Sequence, residues 1–291
     1  MTLSSSVQPA TTKPDSASLR ARLSTPGAWA ILITCVLGLI AMLVPIYVIL
    51  STALSGQSGA PGFFLSFPTE PSLVAFGSAF DSLKGGLGNS LAITVPGVIL
   101  TCLIGSFNGY LLSKYQFRGG DVLFTLILVG MFIPYQAIII PMFQFLQALG
   151  LQGTLTGLTL VHVVYGIPIT TLIFRNYYAA IPDTTLEAAS LDGCGIWKSY
   201  TKIVLPLSIP GFVVAGIFQT TNIWNDFLFG FIFTGARSRP ATVALNNLIG
   251  TTTIDYSELM AGAVLVALPT ILIYLFLGKY FVRGLMAGAV K

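Results

Sequence analysis

Long apolar runs joined by short polar connections set the grain of this chain. Between Glu258 and Lys279 lie twenty residues without a charge. At about 1.5 Å per residue they make a helix of roughly 30 Å, the thickness of one bilayer core. Between Asp121 and Arg175 lie fifty-three more, too many for one helix. The Gly-, Gln- and Thr-bearing stretch 147–157 offers a turn midway, so two spans are predicted there. With the runs at 27–54, 90–112 and 209–233, the pattern predicts six helices near 28–52, 90–112, 121–143, 157–178, 209–233 and 259–282. The fold class is therefore all-α, a polytopic membrane protein of six transmembrane helices whose even count places both termini on one side. Pro96, Pro134, Pro141, Pro168 and Pro269 fall inside these predicted helices, where they either kink the helix or are tolerated by packed neighbours. Gly105 and Gly109 form a GxxxG pair, a surface for close helix packing.

Composition supports the same solvent. Of 291 residues, 54% are apolar and 8% charged, and mean hydropathy is +0.85, whereas a soluble domain is about a quarter charged. The net charge of +4 does not mark a nucleic-acid binder, because the fourteen basic residues stand in ones and twos between apolar runs. They read as topology signals. Eleven of them (Lys13, Arg20, Arg22, Lys114, Arg118, Arg175, Lys198, Lys202, Lys279, Arg283 and Lys291) fall on the side of the termini, and Lys84, Arg237 and Arg239 on the other. The positive-inside rule then predicts cytoplasmic termini and a cytoplasmic 179–208 segment. Residues 1–26, rich in Ser, Thr and Pro, read as a disordered cytoplasmic leader, and 27–291 as one transmembrane domain. The run at 27–54 is too long for a cleaved signal peptide. Three cysteines without CxxC spacing and a single histidine, His162, support neither a metal site nor redox chemistry.

The connection 178–208 reads YAAIPDTTLEAASLDGCGIWKSYTKIVLPLS, more structured than a turn requires. Pro182 and Asp183 end the preceding helix, Thr184 is a candidate cap for a new one, and Glu187 sits at the capping-box position three residues on. Leu186, Ala189 and Ser190 share one side of that helix, Gly193 and Gly195 permit a sharp turn, and 196–205 reads as a second short amphipathic helix.

At these residues the chain resembles the permease subunits of ABC importers, whose cytoplasmic signature is EAA, three residues, Gly, nine residues, Ile-x-Leu-Pro. Glu187-Ala188-Ala189, Gly193, and Ile203 with Leu205 and Pro206 match it at the family spacing. The stretches Asn89-Ser90-Leu91, YLLSKYQFRG from Tyr110, WNDFLFG from Trp224 and the ending GLMAGAVK look like the carbohydrate branch, in particular the second permease subunit of maltose-type systems. The resemblance implies the type I importer permease fold in a bacterial-type cytoplasmic membrane. The loop, with Glu187, Ala188, Ala189, Asp192, Gly193, Ile203, Leu205 and Pro206, would couple to a separate ATPase dimer. Glu187 would pair with a basic residue there, and Gly193 would make the bend. The other implied partners are a homologous second permease, an extracytoplasmic solute-binding protein and a small sugar as cargo, with lipid as solvent and no nucleic acid.

The chain itself carries no GxxxxGK[ST] loop, so ATP and Mg belong on the partner and this chain is expected to bind no cofactor. It offers no catalytic constellation. Asn222, Trp224, Asn225 and Asp226 are candidate residues of the translocation pathway. Asp226 is the only acid deep in a span, where a structural hydrogen bond competes with solute contact. A non-sugar cargo and an ion-coupled secondary transporter are the alternative readings.

Overall fold

The computed structural model describes residues 26–55, 68, 70–249 and 254–287, with side chains through 280; the leader expected at 1–26 lies outside them, except Pro26. The helices are α1 Pro26–Ala53, α2 Val74–Lys114, α3 Gly120–Phe132, α4 Tyr135–Ala148, α5 Leu155–Ala179, α6 Asp183–Leu191, α7 Ile196–Leu207, α8 Ile209–Trp224, α9 Leu228–Phe233, α10 Ala241–Asn247 and α11 Tyr256–Ala287. Among the described residues there is no strand, only a single bridge between Gly153 and Thr234. The all-α expectation holds.

Four continuous helices are long and apolar enough to cross a bilayer, α1, α2, α5 and α11; counting each bent pair as one span gives six. Three boundaries differ from the sequence expectation. Helix α2 begins at Val74 rather than near 90, and its added turns carry Asp81 and Lys84, paired at 2.9 Å on the helix surface. The predicted helix 121–143 is two helices bent by 100°. Pro134 lacks the amide to continue α3 and holds Ile133 extended (φ −70, ψ 118). Pro45, Pro96, Pro141, Pro168 and Pro269 lie inside continuous helices, their freed carbonyls tolerated as in other packed membrane helices. The predicted span 209–233 stops at Trp224 and resumes at Leu228.

Helices α2 and α5 form the spine. The glycine pair sits between them: a Cβ on Gly105 would collide with Thr170 Oγ1, and one on Gly109 would lie 2.7 Å from the Arg175 amide nitrogen. Only glycine permits this approach. At one end of the spine, Ile93, Leu146, Leu158, Val161, Ile223, Phe229 and Phe233 form an apolar core. At the other, Cys102, Tyr110, Phe174, Tyr178, Tyr200, Val204 and Ala215 form a second. The first end is closed by the 234–249 segment, where Asn89 donates to the carbonyls of Arg237 and Arg239 at 3.0 and 2.9 Å and Ser90 accepts from the Ala241 amide at 2.8 Å. The second end carries α6 and α7.

Candidate functional site

The loop between α5 and α8 is a folded unit with two helices and a defined corner. Helix α6 starts at Asp183, with Pro182 at the cap position and no side-chain cap bond. Thr184 is thus inside the helix, and the expected capping box with Glu187 is not formed. Proline's fixed φ and missing amide suit the helix start without a side-chain acceptor. The C-terminus closes as a Schellman turn: the Cys194 amide donates to the Ala189 carbonyl at 2.9 Å and the Gly193 amide to Ser190 at 3.0 Å. Gly193 has φ +75, the left-handed conformation that this turn requires.

The two sides of the loop differ sharply. Ala189 is buried, and Leu186, Ile203 and Leu205 are half-buried, Leu186 and Leu205 packing on the second core. Glu187, Ala188, Asp192 and Pro206 point into solvent. Beside them stand Leu191, 90% exposed, and Trp197, 65% exposed. Sequence reasoning missed these two. The available signal was their position, a large apolar side chain off the buried stripe of a short helix, which water does not explain. The outward face therefore combines two carboxylates with two large apolar side chains, a surface that suits a protein partner with a basic, partly apolar groove.

The loop is tethered to the spine. Lys114, whose side chain is 4% exposed, donates to the Ile181 carbonyl at 2.5 Å and to Asp183 Oδ1 at 2.7 Å. Lys114 therefore acts as more than the topology charge the sequence suggested. Tyr110 Oη donates to the Ile196 carbonyl at 3.2 Å, and Tyr177 Oη to Leu207 at 3.0 Å. Arg175 lies 4.0 Å over the Phe124 ring.

The second set of predicted residues lies at the break between α8 and α9, toward the opposite end. Asp226 Oδ1 accepts from the Phe229 amide at 3.3 Å and Oδ2 from Gly230 at 2.9 Å, and His162 Nε2 stands 3.7 Å from Oδ2. The carboxylate thus satisfies the first turn of α9, a structural hydrogen bond whose backbone partners the sequence did not indicate. Trp224 is 3% exposed, and its indole N–H donates to the Val266 carbonyl in α11 at 2.8 Å. Its ring is therefore part of the α8–α11 packing and separates from the other three. Asn222 and Asn225 are exposed, Asn222 donating to the Phe218 carbonyl at 3.1 Å and Asn225 accepting from Thr270 at 3.5 Å. Loop and break are thus separate sites joined by the spine.

Comparison with known proteins places this geometry. The family described as binding-protein-dependent transport system inner membrane component matches residues 87–286. A probable ABC transporter permease protein of Pyrococcus horikoshii is 51% identical over 63% of this chain and 67% of its own length. The xylose/arabinose import permease protein of Haloferax volcanii is 35% identical over 72% of this chain and 75% of its own. The crystal structure of a bacterial ABC transporter involved in import of the acidic polysaccharide alginate superposes with a TM-score of 0.72 at 24% identity, covering 93% of this chain and all of that one. That last likeness concerns the fold.

Proposed function

The chain belongs to the binding-protein-dependent transport system inner membrane components, the permease subunits of ABC importers, and from that premise we propose that it forms half of a translocation pathway for a small sugar. Sugar as cargo draws support from relatives such as the xylose/arabinose permease and from the carbohydrate-branch stretches in the sequence. A solute-binding protein delivers the sugar at the end formed by 74–90 and 234–249. A homologous permease completes the pathway. An ATPase dimer hydrolyses ATP with Mg on its own residues and docks on the 179–208 loop. Both termini are cytoplasmic, on the side of that loop.

The observation that carries this reading is the loop itself, folded, tethered to the spine through Lys114 and presenting Glu187, Leu191 and Trp197 outward. A segment serving only to reverse the chain needs none of these features. In the mechanism, the ATPase grips this face, and closure of the ATPase displaces α6 and α7. The tethers pass the displacement to α2 and α5, which alternate the pathway between its two openings. Asn222 on the exposed side of α8 and Asn225 at its C-terminal cap offer hydrogen-bonding groups to a hydroxylated solute, and Asp226 shapes the break beside them. No bond chemistry is assigned to this chain.

The test is affinity purification of the chain from its native membrane with mass spectrometry of what accompanies it, repeated for Leu191→Ala with Trp197→Ala. The wild type is expected to bring an ATPase and a second permease, and the variant to keep the permease and lose the ATPase. Recovery of neither partner with the wild type overturns the reading.

A further inference from the structure

Beneath the loop's outward face lies a chain of four buried hydroxyls that the mechanism above does not use. Ser106 of α2 is 2.6 Å from Tyr178 Oη of α5 and 2.9 Å from Tyr200 Oη of α7. Tyr178 Oη donates to Ser208 Oγ at 3.1 Å, and Ser208 Oγ donates to the Val204 carbonyl at 2.6 Å. Ser106, Tyr178 and Ser208 are fully buried, and Tyr200 is 4% exposed.

Proton counting orders the chain. Each hydroxyl has one hydrogen to give. The hydrogen of Tyr178 goes to Ser208, so Ser106 must donate to Tyr178 and Tyr200 must donate to Ser106. The direction is Tyr200, Ser106, Tyr178, Ser208, Val204 carbonyl. It starts and finishes in the same turn of α7, and between those ends it passes through α2, α5 and the corner before α8. Hydroxyls linked head to tail polarise one another, so each link strengthens the next.

The turn being held is itself unusual. Residues Tyr200–Val204 form a π turn, in which the Leu205 amide bonds to the Tyr200 carbonyl. Pro206, which has no amide, follows at once. Such wide turns are rare and recur at functional positions. Above it, the exposed Trp197 ring packs against Tyr200 at 5.8 Å and Phe107 of α2 at 5.6 Å between centroids. A push on Trp197 therefore lands directly on Tyr200. Apolar contacts alone would let α7 slide over the spine, whereas a closed hydrogen-bond circuit fixes both its position and its rotation.

We propose that Tyr200, Ser106, Tyr178 and Ser208 are positioning residues for transport. Their hydroxyl circuit is the rigid joint that turns movement of the loop into movement of α2, α5 and α8. The inference rests on the reading that the 179–208 loop docks an ATPase.

The experiment uses the whole complex, this chain with its partner permease and ATPase, in lipid nanodiscs. Hydrogen exchange is followed by mass spectrometry in the loop segment 183–207 and in the far segment 225–247, with and without ATP and vanadate. The wild type is expected to respond in both. Tyr200→Phe and Tyr178→Phe keep the rings and remove one link each; ATP hydrolysis and the loop response should persist, while the far response shrinks at least about fivefold, the lower end of ordinary coupling between sites. The double variant should be no worse than either single, since one circuit is broken once. A far response of wild-type size in the single variants overturns the inference, even where their melting temperatures fall, because that is the behaviour of structural glue. Should Tyr178→Phe fail to assemble, Tyr200→Phe decides alone, since it removes only the first donor. A wild-type complex that hydrolyses ATP with no response at 225–247 would sink the importer reading instead.

Discussion

Gly193 is the position in the 179–208 loop where backbone conformation dictates the side chain. Its φ is +75, yet nothing lies within 4 Å of where a Cβ would stand. The penalty for substitution is therefore conformational, about 1–2 kcal/mol for alanine in the left-handed region and more for a β-branched residue. Gly193→Ala should weaken ATPase retention and Gly193→Val abolish it. Gly195→Ala, at φ −76 with equally open surroundings, should be neutral, and co-purification ratios check all three. Glu187 is exposed and caps nothing. Glu187→Ala should leave the membrane domain's melting temperature unchanged while weakening ATPase association by on the order of 2–5 kcal/mol, the range for truncating one side of a desolvated charge pair. A fall in melting temperature with normal ATPase recovery would point to a role inside the chain. For Asp226→Asn the remaining carbonyl oxygen can keep the stronger bond to Gly230, at 2.9 Å, and lose the 3.3 Å bond to Phe229. The expected result is a loss of about 1 kcal/mol in stability with uptake retained; abolished uptake in an assembled complex would assign the charge a transport role.

At the scale of elements, the spine depends on two glycines, because α2 and α5 meet backbone to backbone. The atoms facing Gly105 and Gly109 include the Thr170 carbonyl carbon at 2.9 Å and the Arg175 amide nitrogen at 2.7 Å, and main chain cannot rotate away as a side chain can. Overpacking of such an interface costs about 1–3 kcal/mol or more. Gly109→Val should lower the melting temperature of the solubilised protein and its yield. Gly88→Ala in the same helix meets nothing within 4 Å and should match or exceed the wild type, since alanine favours helix. Equal melting temperatures for the two variants would mean that the spine tolerates separation. The bend between α3 and α4 follows a different rule. Pro134 follows Ile133, held extended at φ −70 and ψ 118, whereas Pro45, Pro96, Pro141, Pro168 and Pro269 lie inside continuous helices.

For the whole molecule, the testable property is orientation. Cys194 lies in the loop and is half-buried, while Cys102 is buried in α2. With eleven of fourteen basic residues on the side of the termini, an impermeant thiol reagent added to intact cells should label Lys84→Cys and Arg237→Cys and leave Cys194 untouched. Labelling of Cys194 would invert the topology and remove the docking proposal with it.

The apolar runs by themselves determined the solvent, the helical class and the positions of most spans, because a bilayer imposes one length and one backbone solution on any segment that crosses it. The EAA-to-Ile-x-Leu-Pro spacing likewise marked the loop, since the turn at Gly193 is a local demand of the backbone. Other features waited for the tertiary structure because they depend on which surfaces meet. The hydrogen-bond partners of Asp226, the Phe229 and Gly230 amides of α9, follow from the break in the helix at 225–227. Trp224 found its partner 42 residues away in α11. Ser106, Tyr178, Tyr200 and Ser208 are unremarkable along the chain, separated by up to 94 residues within one bonded pair. Nothing periodic links them, and only the crossing of α2, α5 and α7 brings their hydroxyls within bonding distance. Spacing along a chain encodes what the backbone and its immediate solvent require, whereas hydrogen bonds between distant side chains exist only once packing has set the helices against one another.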